Sequence, residues 1–393
     1  MDVTIPEIPP RYEAYRRDLR AFIEANLPEL TFEPKVGLRV PDDPQDVVKL
    51  RAWTKALHQA GYAADRFATG PVDPFEARIR AEELGRTRVP TVLGNPLVAG
   101  ALEHFGTRLQ RDTYMTPMAT GEHIWTQLFS EPDAGSDLTS LQTRATLEGD
   151  HYVVTGQKVW STWAQFSDYG YLLARTEPGT GRQGITAFIL DMKSDGVTTR
   201  PLREITGTTD FNEVFLDAVR IPVENVIGEP GEGWAVAQTS LAEERGGVGS
   251  GGSGDAVAGL VRLAREHRRG GRPAIEDSAV RQDIARFAAR SRIQRYLGYR
   301  VRTKAARKQT DVWDGPLTKV WFSELNLEIA EYGMGLQGAR GTLTEGDPLA
   351  CEAGRWQDMF LYARAWTIAG GSNEIMRNLI AERGLGLPRE PRG

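Results

Sequence analysis

The chain has one cysteine, Cys351, in 393 residues. No internal disulfide can form, and a reducing, cytoplasmic setting is expected. No run of about 18 apolar residues occurs, so no membrane-spanning helix is expected. The opening stretch MDVTIPEIPPRYEAYRRDLR lacks the apolar segment that a secretory signal requires. Charge of one sign is not in excess: 48 Lys and Arg face 53 Asp and Glu, a net charge of -5. The cations are scattered, so the clustered basic face of a nucleic-acid binder is not expected. No metal site, internal repeat or low-complexity tract is expected beyond one glycine run. Hydrophobic residues at 40% and charged residues at 26% are ordinary for a globular chain, and the length suggests two or three domains.

Residues 11–122 carry helical periodicity. In RYEAYRRDLRAFIEANL, Tyr12, Tyr15, Leu19, Phe22, Ile23 and Leu27 fall at three- and four-residue steps, which is one helical face. DVVKLRAWTKALHQAGY and DPFEARIRAEELGRT follow the same pattern, with Gly61 and Gly85 as expected C-terminal stops. Near His123 the texture changes. HYVVTG, DYGYLLART, GITAFILD and EVFLDAVRIP are short, rich in β-branched and aromatic residues, and bounded by Gly, Pro or Asp; these are strand signals. After GEPGEGW the helical pattern returns. The expected order is helices over 1–122, an antiparallel β-domain over 123–231 and helices over 232–393, with no β-α-β alternation.

The stretch SLAEERGGVGSGGSG, Ser240 to Gly254, contains a G-x-G-x-x-G at Gly247, Gly249 and Gly252. A dinucleotide fingerprint needs a buried strand before it, and here a helical pattern precedes it. The glycines are either a flexible linker or a glycine-lined turn in a helical region, costing up to ~1 kcal/mol per helical glycine. Glu243 and Glu244 lie about 100° apart on a helix, so only one can point squarely into a given pocket. From spacing alone, a solvated charged face is the plainer reading.

Three further stretches carry chemistry. QLFSEPDAGSDL, Gln127 to Leu138, joins the helical part to the strands with turn formers and short hydroxyls. GQKVWSTWAQFSDYGYLLAR places Trp160 and Trp163 near Thr162. A flat redox ring needs aromatic contact on one face and hydrogen-bond donors at its heteroatoms, which Trp160, Thr162 and Ser130 could supply; a tryptophan buried in the core is the competing reading. In AWTIAGGSNEIMRNLIAERGLGLPR, Ser372 is a candidate N-cap. Such a helix start either receives an anionic or carbonyl oxygen or is ordinary.

FSEPDAGSDL, GQKVWST and IAGGSNEIMRNLIAERGLGLPR together, at matching spacing, resemble the acyl-CoA dehydrogenase family over nearly the whole chain. The resemblance implies an α+β fold: an N-terminal helical domain, a central antiparallel β-barrel domain and a C-terminal four-helix bundle. It implies FAD between the middle and C-terminal domains, usually in a homotetramer, an acyl-CoA substrate and an electron-transfer flavoprotein as acceptor. By the same resemblance Gln127, Phe129, Ser130, Trp160, Thr162, Gln337, Ser372 and Glu374 are expected at the cofactor and Ser136 along the acyl-CoA chain. The implied reaction is α,β-dehydrogenation, with a carboxylate taking the α-proton and flavin N5 the β-hydrogen as hydride.

Many relatives carry the base where this chain has Gly370, which can offer only a backbone N–H. A second branch, resembling isovaleryl- and long-chain acyl-CoA dehydrogenases, carries it directly before an arginine on the earlier helix. By that match Glu244 is the expected base, Arg245 orients it or lines the CoA passage, and Glu243 is the fallback. Gly246 to Gly254 would then leave room for a branched or polycyclic acyl group. At the stretch where relatives grip a neighbouring subunit's FAD, His267 stands for an arginine, Gly270 for a phenylalanine and Arg340 for a glycine. The alternatives are a weak or silent subunit of a heterotetramer, or an acyl-CoA oxidase or flavin monooxygenase on the same fold.

Overall fold

A computed structural model describes residues 7–31, 40–41, 43–67, 72–87, 89–90, 96–177, 179, 181–247, 254–307 and 309–389. The chain divides into two compact units, one of residues 7–34 and 38–241 and one built on residues 242–393.

Among the described residues the first unit opens with the helices α1 (Glu13–Asn26), α2 (Pro44–Gln59), α3 (Pro74–Thr87), α4 (Pro96–Phe105) and α5 (Arg108–Ala119). Their starts follow from local chemistry. Asp43 caps α2 by accepting the Gln45 N–H, with Pro44 in the first turn, where its missing N–H costs nothing. Thr107 and Gln110 form a reciprocal capping box at α5, satisfying two orphan donors at once. The Gln110 amide also donates to the carbonyls of Glu224 and Val226, so the same residue ties the helix to the strands. Gly61, at φ 75, follows the end of α2 as expected. Gly85 does not stop α3, which runs on to Thr87. The buried carboxylate of Glu83, gathering Arg16, Arg20 and Arg86, holds that last turn.

Eight strands follow: β1 (Trp125–Leu128), β2 (Arg144–Glu148), β3 (His151–Lys158), β4 (Tyr169–Arg175), β5 (Ile185–Asp191), β6 (Val197–Leu202), β7 (Phe211–Pro222) and β8 (Val226–Ile227). They form one sheet in the order β6-β7-β3-β2-β4-β5-β8, with β1 also on β4. The expected antiparallel barrel is corrected on two counts. The sheet is mixed, because β1 and β2 both run parallel to β4. It is also open: among the described residues β6 and β8 do not pair with each other, and β8 offers only two residues. The parallel pairing has a local cause. The chain runs beside β4 as β1, leaves at Phe129, and rejoins the same strand in the same direction at Arg144, opposite Arg175. Residues 129–143 are an excursion from an otherwise continuous edge.

β4 and β5 are buried on both faces. Tyr171, Leu173, Ile185, Ala187 and Ile189 join Val98, Leu102, Met118 and Val236 in one core. Leu172, Ala174, Phe188 and Leu190 join Tyr152, Val154, Val214 and Leu216 in another. Alternate side chains of a strand point to opposite faces, so one near-continuous apolar run serves both. The helix α6 (Gly233–Gly247) leaves this unit. A Cβ at Gly233 would lie 2.6 Å from the Thr186 carbonyl carbon, so only glycine lets the helix start against β5.

The second unit holds α7 (Gly254–Glu266), a short hairpin of β9 (Arg268–Arg269) and β10 (Arg272–Pro273), then α8 (Ser278–Ala306), α9 (Asp314–Gln337), α10 (Arg355–Ile368) and α11 (Asn373–Leu379). α9 packs against α7, α8, α10 and α11. Leu260, Leu263, Phe287, Leu325, Ile329, Trp356 and Met359 form the shared core. The described helices include none long and apolar enough to cross a membrane.

Candidate functional site

In the first unit, the 129–143 excursion and the segment leaving β3 are laced together. Val159 N–H donates to the Ser130 carbonyl at 2.9 Å, and Glu131 and Ala134 exchange backbone bonds. Beneath them lies a buried ion pair. Lys158, at the end of β3, is fully buried, and Glu131 is 7% exposed. Lys158 Nζ donates to Glu131 Oε1 at 2.8 Å and to the Phe129 carbonyl at 3.0 Å. Glu131 Oε1 also accepts Thr143 N–H at 2.9 Å, and Oε2 accepts Gln142 N–H at 2.6 Å. Burial pushes the Lys158 ammonium down to about 8 against the opposing pull of Glu131. Burial also works against the Glu131 anion, but Lys158 and the amide donors outweigh it and hold the carboxyl below its ordinary value.

Past β3 the backbone is strained. Trp160 has φ 60 and Trp163 φ 63, left-handed conformations that cost a non-glycine residue about 1–2 kcal/mol and concentrate at functional positions. Trp160 is 59% exposed and meets Phe211 edge-on at 5.8 Å, so it is not a core residue. The segment is gripped from β7. Ser161 and Asn212 exchange backbone bonds, and the buried Asn212 amide donates to the Ser161 carbonyl at 3.0 Å. Ser130 and Thr162 are half-buried, and among the described residues neither hydroxyl has a hydrogen-bond partner.

The other first-unit residues divide. Gln127 is half-buried on β1, opposite Tyr171. Phe129 turns its ring into the core, edge-on to Tyr171 at 4.8 Å, leaving its backbone for other partners. Ser136 is exposed on the excursion. Tyr171 reaches across its sheet face to α6, its hydroxyl 3.3 Å from Ser240 Oγ. Glu243, Glu244, Arg245 and Gly246 fall on the last turns of α6, and their side chains lie outside the described residues, as do residues 248–253 of the glycine run.

In the second unit, Gly370 and Gly371 take φ 67 and φ 92. Both are left-handed, where glycine is the unstrained residue. Ser372 then caps α11, its Oγ accepting the Ile375 N–H at 3.3 Å. Glu374 stands exposed in the first turn, its carboxyl held below the ordinary value by its backbone N–H and by Ser372. The turn is anchored from α9. The buried Lys319 donates to Asn373 Oδ1 at 2.8 Å, and Ser323 Oγ donates to the same oxygen at 2.9 Å.

A cavity of about 370 Å³ in this unit is lined by Glu266, His267, Arg268, Gln337, Ala339 and Arg340. Gln337 is 1% exposed. Its Nε2 donates to the Gly333 carbonyl at 2.9 Å, while its Oε1 and the buried His267 Nδ1 have no partner among the described residues. Burial first, then Arg340 and Arg269, hold the His267 imidazole below its ordinary value. Gly270 sits at φ 57 in the β9–β10 turn.

Taken unit by unit, the residues of the first suit a planar redox ring and those of the second suit a phosphate-bearing group. In the first unit an exposed tryptophan face lies on the segment that also carries Thr162 and that bonds the Ser130 carbonyl, and among the described residues neither the Ser130 nor the Thr162 hydroxyl has a partner. In the second, a cavity offers guanidinium groups and orphaned polar atoms.

Comparison with known proteins agrees. Residues 126–219 match the model of the acyl-CoA dehydrogenase middle domain, and residues 231–385 that of the C-terminal domain. Acyl-CoA dehydrogenase IpdE1 of Mycobacterium tuberculosis is 34% identical over 97% of this chain and 99% of its own. Acyl-CoA dehydrogenase FadE34 of the same organism is 35% identical over 80% of this chain and 43% of its own. Among solved structures, the Tcur3481-Tcur3483 steroid ACAD has a TM-score of 0.83 at 26% identity, covering 99% of this chain and all of that one. The ChsE4-ChsE5 complex from Mycobacterium tuberculosis has a TM-score of 0.81 at 25% identity, covering 99% of this chain and 100% of that one. The chain belongs to the acyl-CoA dehydrogenase family. It is an FAD-dependent oxidoreductase of lipid metabolism.

Sequence reasoning missed Glu131, Lys158, Asn212 and Lys319. The signal for Lys158 was present: in HYVVTGQK it shares the alternating inward face of Tyr152 and Val154, and a lysine on such a face requires a buried counter-charge.

Proposed function

We propose that the chain converts an acyl-CoA to its trans-2-enoyl-CoA, with Glu244 as the base that takes the α-proton. FAD, when bound, accepts the β-hydrogen as hydride. Trp160 supplies the aromatic face for the flavin, and Ser130 and Thr162 offer donors to its heteroatoms. The Phe129 backbone and Gln127 complete that side. Ser372 and Glu374 at the start of α11 lie near the cofactor's adenosine and pyrophosphate part. Gln337, with Arg340 as the cation in its cavity, serves the cofactor of a neighbouring subunit, and His267 in that cavity is held below its ordinary value. Gly370 offers its N–H to the thioester oxygen as enolate character develops. Ser136 meets the acyl chain, and Arg245 orients the base or lines the CoA passage.

The observation that carries the reading is the strained, exposed Trp160 on a segment laced to Ser130 through Val159. For the base, helix geometry adds support. Glu244 follows Ser240 by four residues, about 40° around the axis of α6, whereas Glu243 is about 60° around on the other side. On ideal helix geometry Glu244 is thus nearer than Glu243 to the axial line through Ser240.

A bulky acyl group, branched or polycyclic, suits the glycines from Gly246 to Gly254, and one structural neighbour is called a steroid ACAD. An electron-transfer flavoprotein is the proposed acceptor and a tetramer the proposed assembly. A second reading has a specific basis: two neighbours are named as pairs of different chains, so this chain would work in a heterotetramer.

The test is an acyl-CoA panel with a dye acceptor, run on the purified protein and on Glu244→Gln. Glu244→Gln should keep its FAD and lose turnover by several orders of magnitude, as expected when a base is removed. Retained turnover in Glu244→Gln, with loss in Glu243→Gln, would move the base by one residue. Turnover that appears only with a second chain would favour the heterotetramer.

A further inference from the structure

We propose that Lys158 and Glu131 are positioning residues for the cofactor site: their buried ion pair clamps the 129–143 excursion to the segment leaving β3, fixing Ser130, Trp160 and Thr162 relative to one another. The inference rests on the cofactor reading of Trp160. It goes further because neither residue is assigned to the flavin.

The geometry is that of a hub. One carboxylate spans the excursion from its start, at residue 131, to its end, at the Gln142 and Thr143 amides. One ammonium, fixed at the last residue of β3, joins that carboxylate to the carbonyl preceding Ser130. Two residues further on, Trp160 adopts its left-handed conformation, which persists only when the surroundings over-determine it. A stability role alone explains this arrangement poorly. Burying two charges is costly, and replacing a buried ion pair by apolar groups is often neutral or stabilising. What the pair supplies is directional. Hydrogen bonds to charged groups fix donor and acceptor positions more tightly than apolar packing does, and sites a fraction of an ångström loose lose function.

Removing one partner leaves the other charged and buried, so Lys158→Met alone would report on folding as much as on position. The informative variants are the two that leave neither charge, Lys158→Met/Glu131→Gln and Lys158→Gln/Glu131→Gln. For the FAD-loaded protein, three quantities are measured: the FAD dissociation constant, the flavin midpoint potential, and the thermal melt of the apo form. The expected result is FAD binding weakened by about 10-fold or more, the equivalent of one lost hydrogen bond to a charged group, together with a shifted potential. The apo melt of at least one variant should stay near wild type. A variant with a native-like melt, wild-type FAD affinity and unchanged potential overturns the inference, as does a melt collapse in both, which would make the pair structural. Trp160→Ala is run alongside. If it weakens FAD binding and the clamp variants do not, only the clamp fails; if it too leaves FAD unaffected, the cofactor reading of Trp160 fails first.

Discussion

Trp160 allows a test in which stability and cofactor binding respond to different features of one residue. Trp160→Ala and Trp160→Gly both delete the indole, its edge-on contact with Phe211 and its partial burial, so those losses cancel when the two variants are compared. What remains is the backbone. At an ordinary strand or helix position glycine is less stable than alanine by roughly 0.5–1 kcal/mol. At φ 60, alanine carries the left-handed penalty of about 1–2 kcal/mol and glycine does not. Setting the two against each other leaves glycine ahead by up to about 1.5 kcal/mol, or at worst level. Denaturant unfolding of the apo proteins measures this difference. FAD binding should not follow it. Both variants lose the aromatic face, and aromatic stacking on a flat ring is worth about 1–3 kcal/mol, so both should bind FAD roughly 10- to 100-fold more weakly by fluorescence titration. An alanine variant clearly more stable than the glycine variant would refute the left-handed backbone. Wild-type FAD affinity in both would refute the placement of the indole at the cofactor.

Two further outcomes follow from the structure. Gly333→Ala would place its Cβ 2.1 Å from Trp356 Cε3, and overpacking of this kind costs about 1–3 kcal/mol or more; a urea melt showing no loss would mean that the Trp356 ring is not seated on α9. On the acid side, Glu131, Asp46 and Glu83 are each held below their ordinary values despite burial, by Lys158, by Thr31 and by Arg20 and Arg16 respectively. A carboxyl whose folded value is depressed stabilises fully above its unfolded value and loses that contribution as pH falls through the folded one. The carboxylate share of the melting temperature should therefore be level above about pH 5 and fall below the ordinary carboxylate range, with a shallower fall there in Glu131→Gln, while the lowered His267 imidazole adds a separate loss as pH falls through the histidine range.

Local signals read well where the responsible atoms are close in sequence. Ser372 caps α11 as its hydroxyl suggested, and Gly61 ends α2. The apolar runs YGYLLAR and ITAFILD are strands. Signals that depend on distant partners read poorly. Gly85 looks like a helix stop, yet α3 continues because Arg16 and Arg20, on another helix, hold Glu83. The barrel expectation failed at β1 and β2, because strand direction depends on which neighbour a strand meets after the 129–143 excursion. Trp160 was legible as a residue type, but its exposure and left-handed backbone were not, since β7 and Asn212 impose them.

The amino-acid sequence alone determined the family motifs, the helix–strand–helix order and the residue types a flavin site requires, because periodicity, caps and turns act over a few residues. Tertiary structure decided the rest. It opened and mixed the sheet, turned Phe129 inward and Trp160 outward, and joined Glu131 to a lysine 27 positions away. The physical reason is burial: a charge removed from water must find its partner wherever the fold brings one.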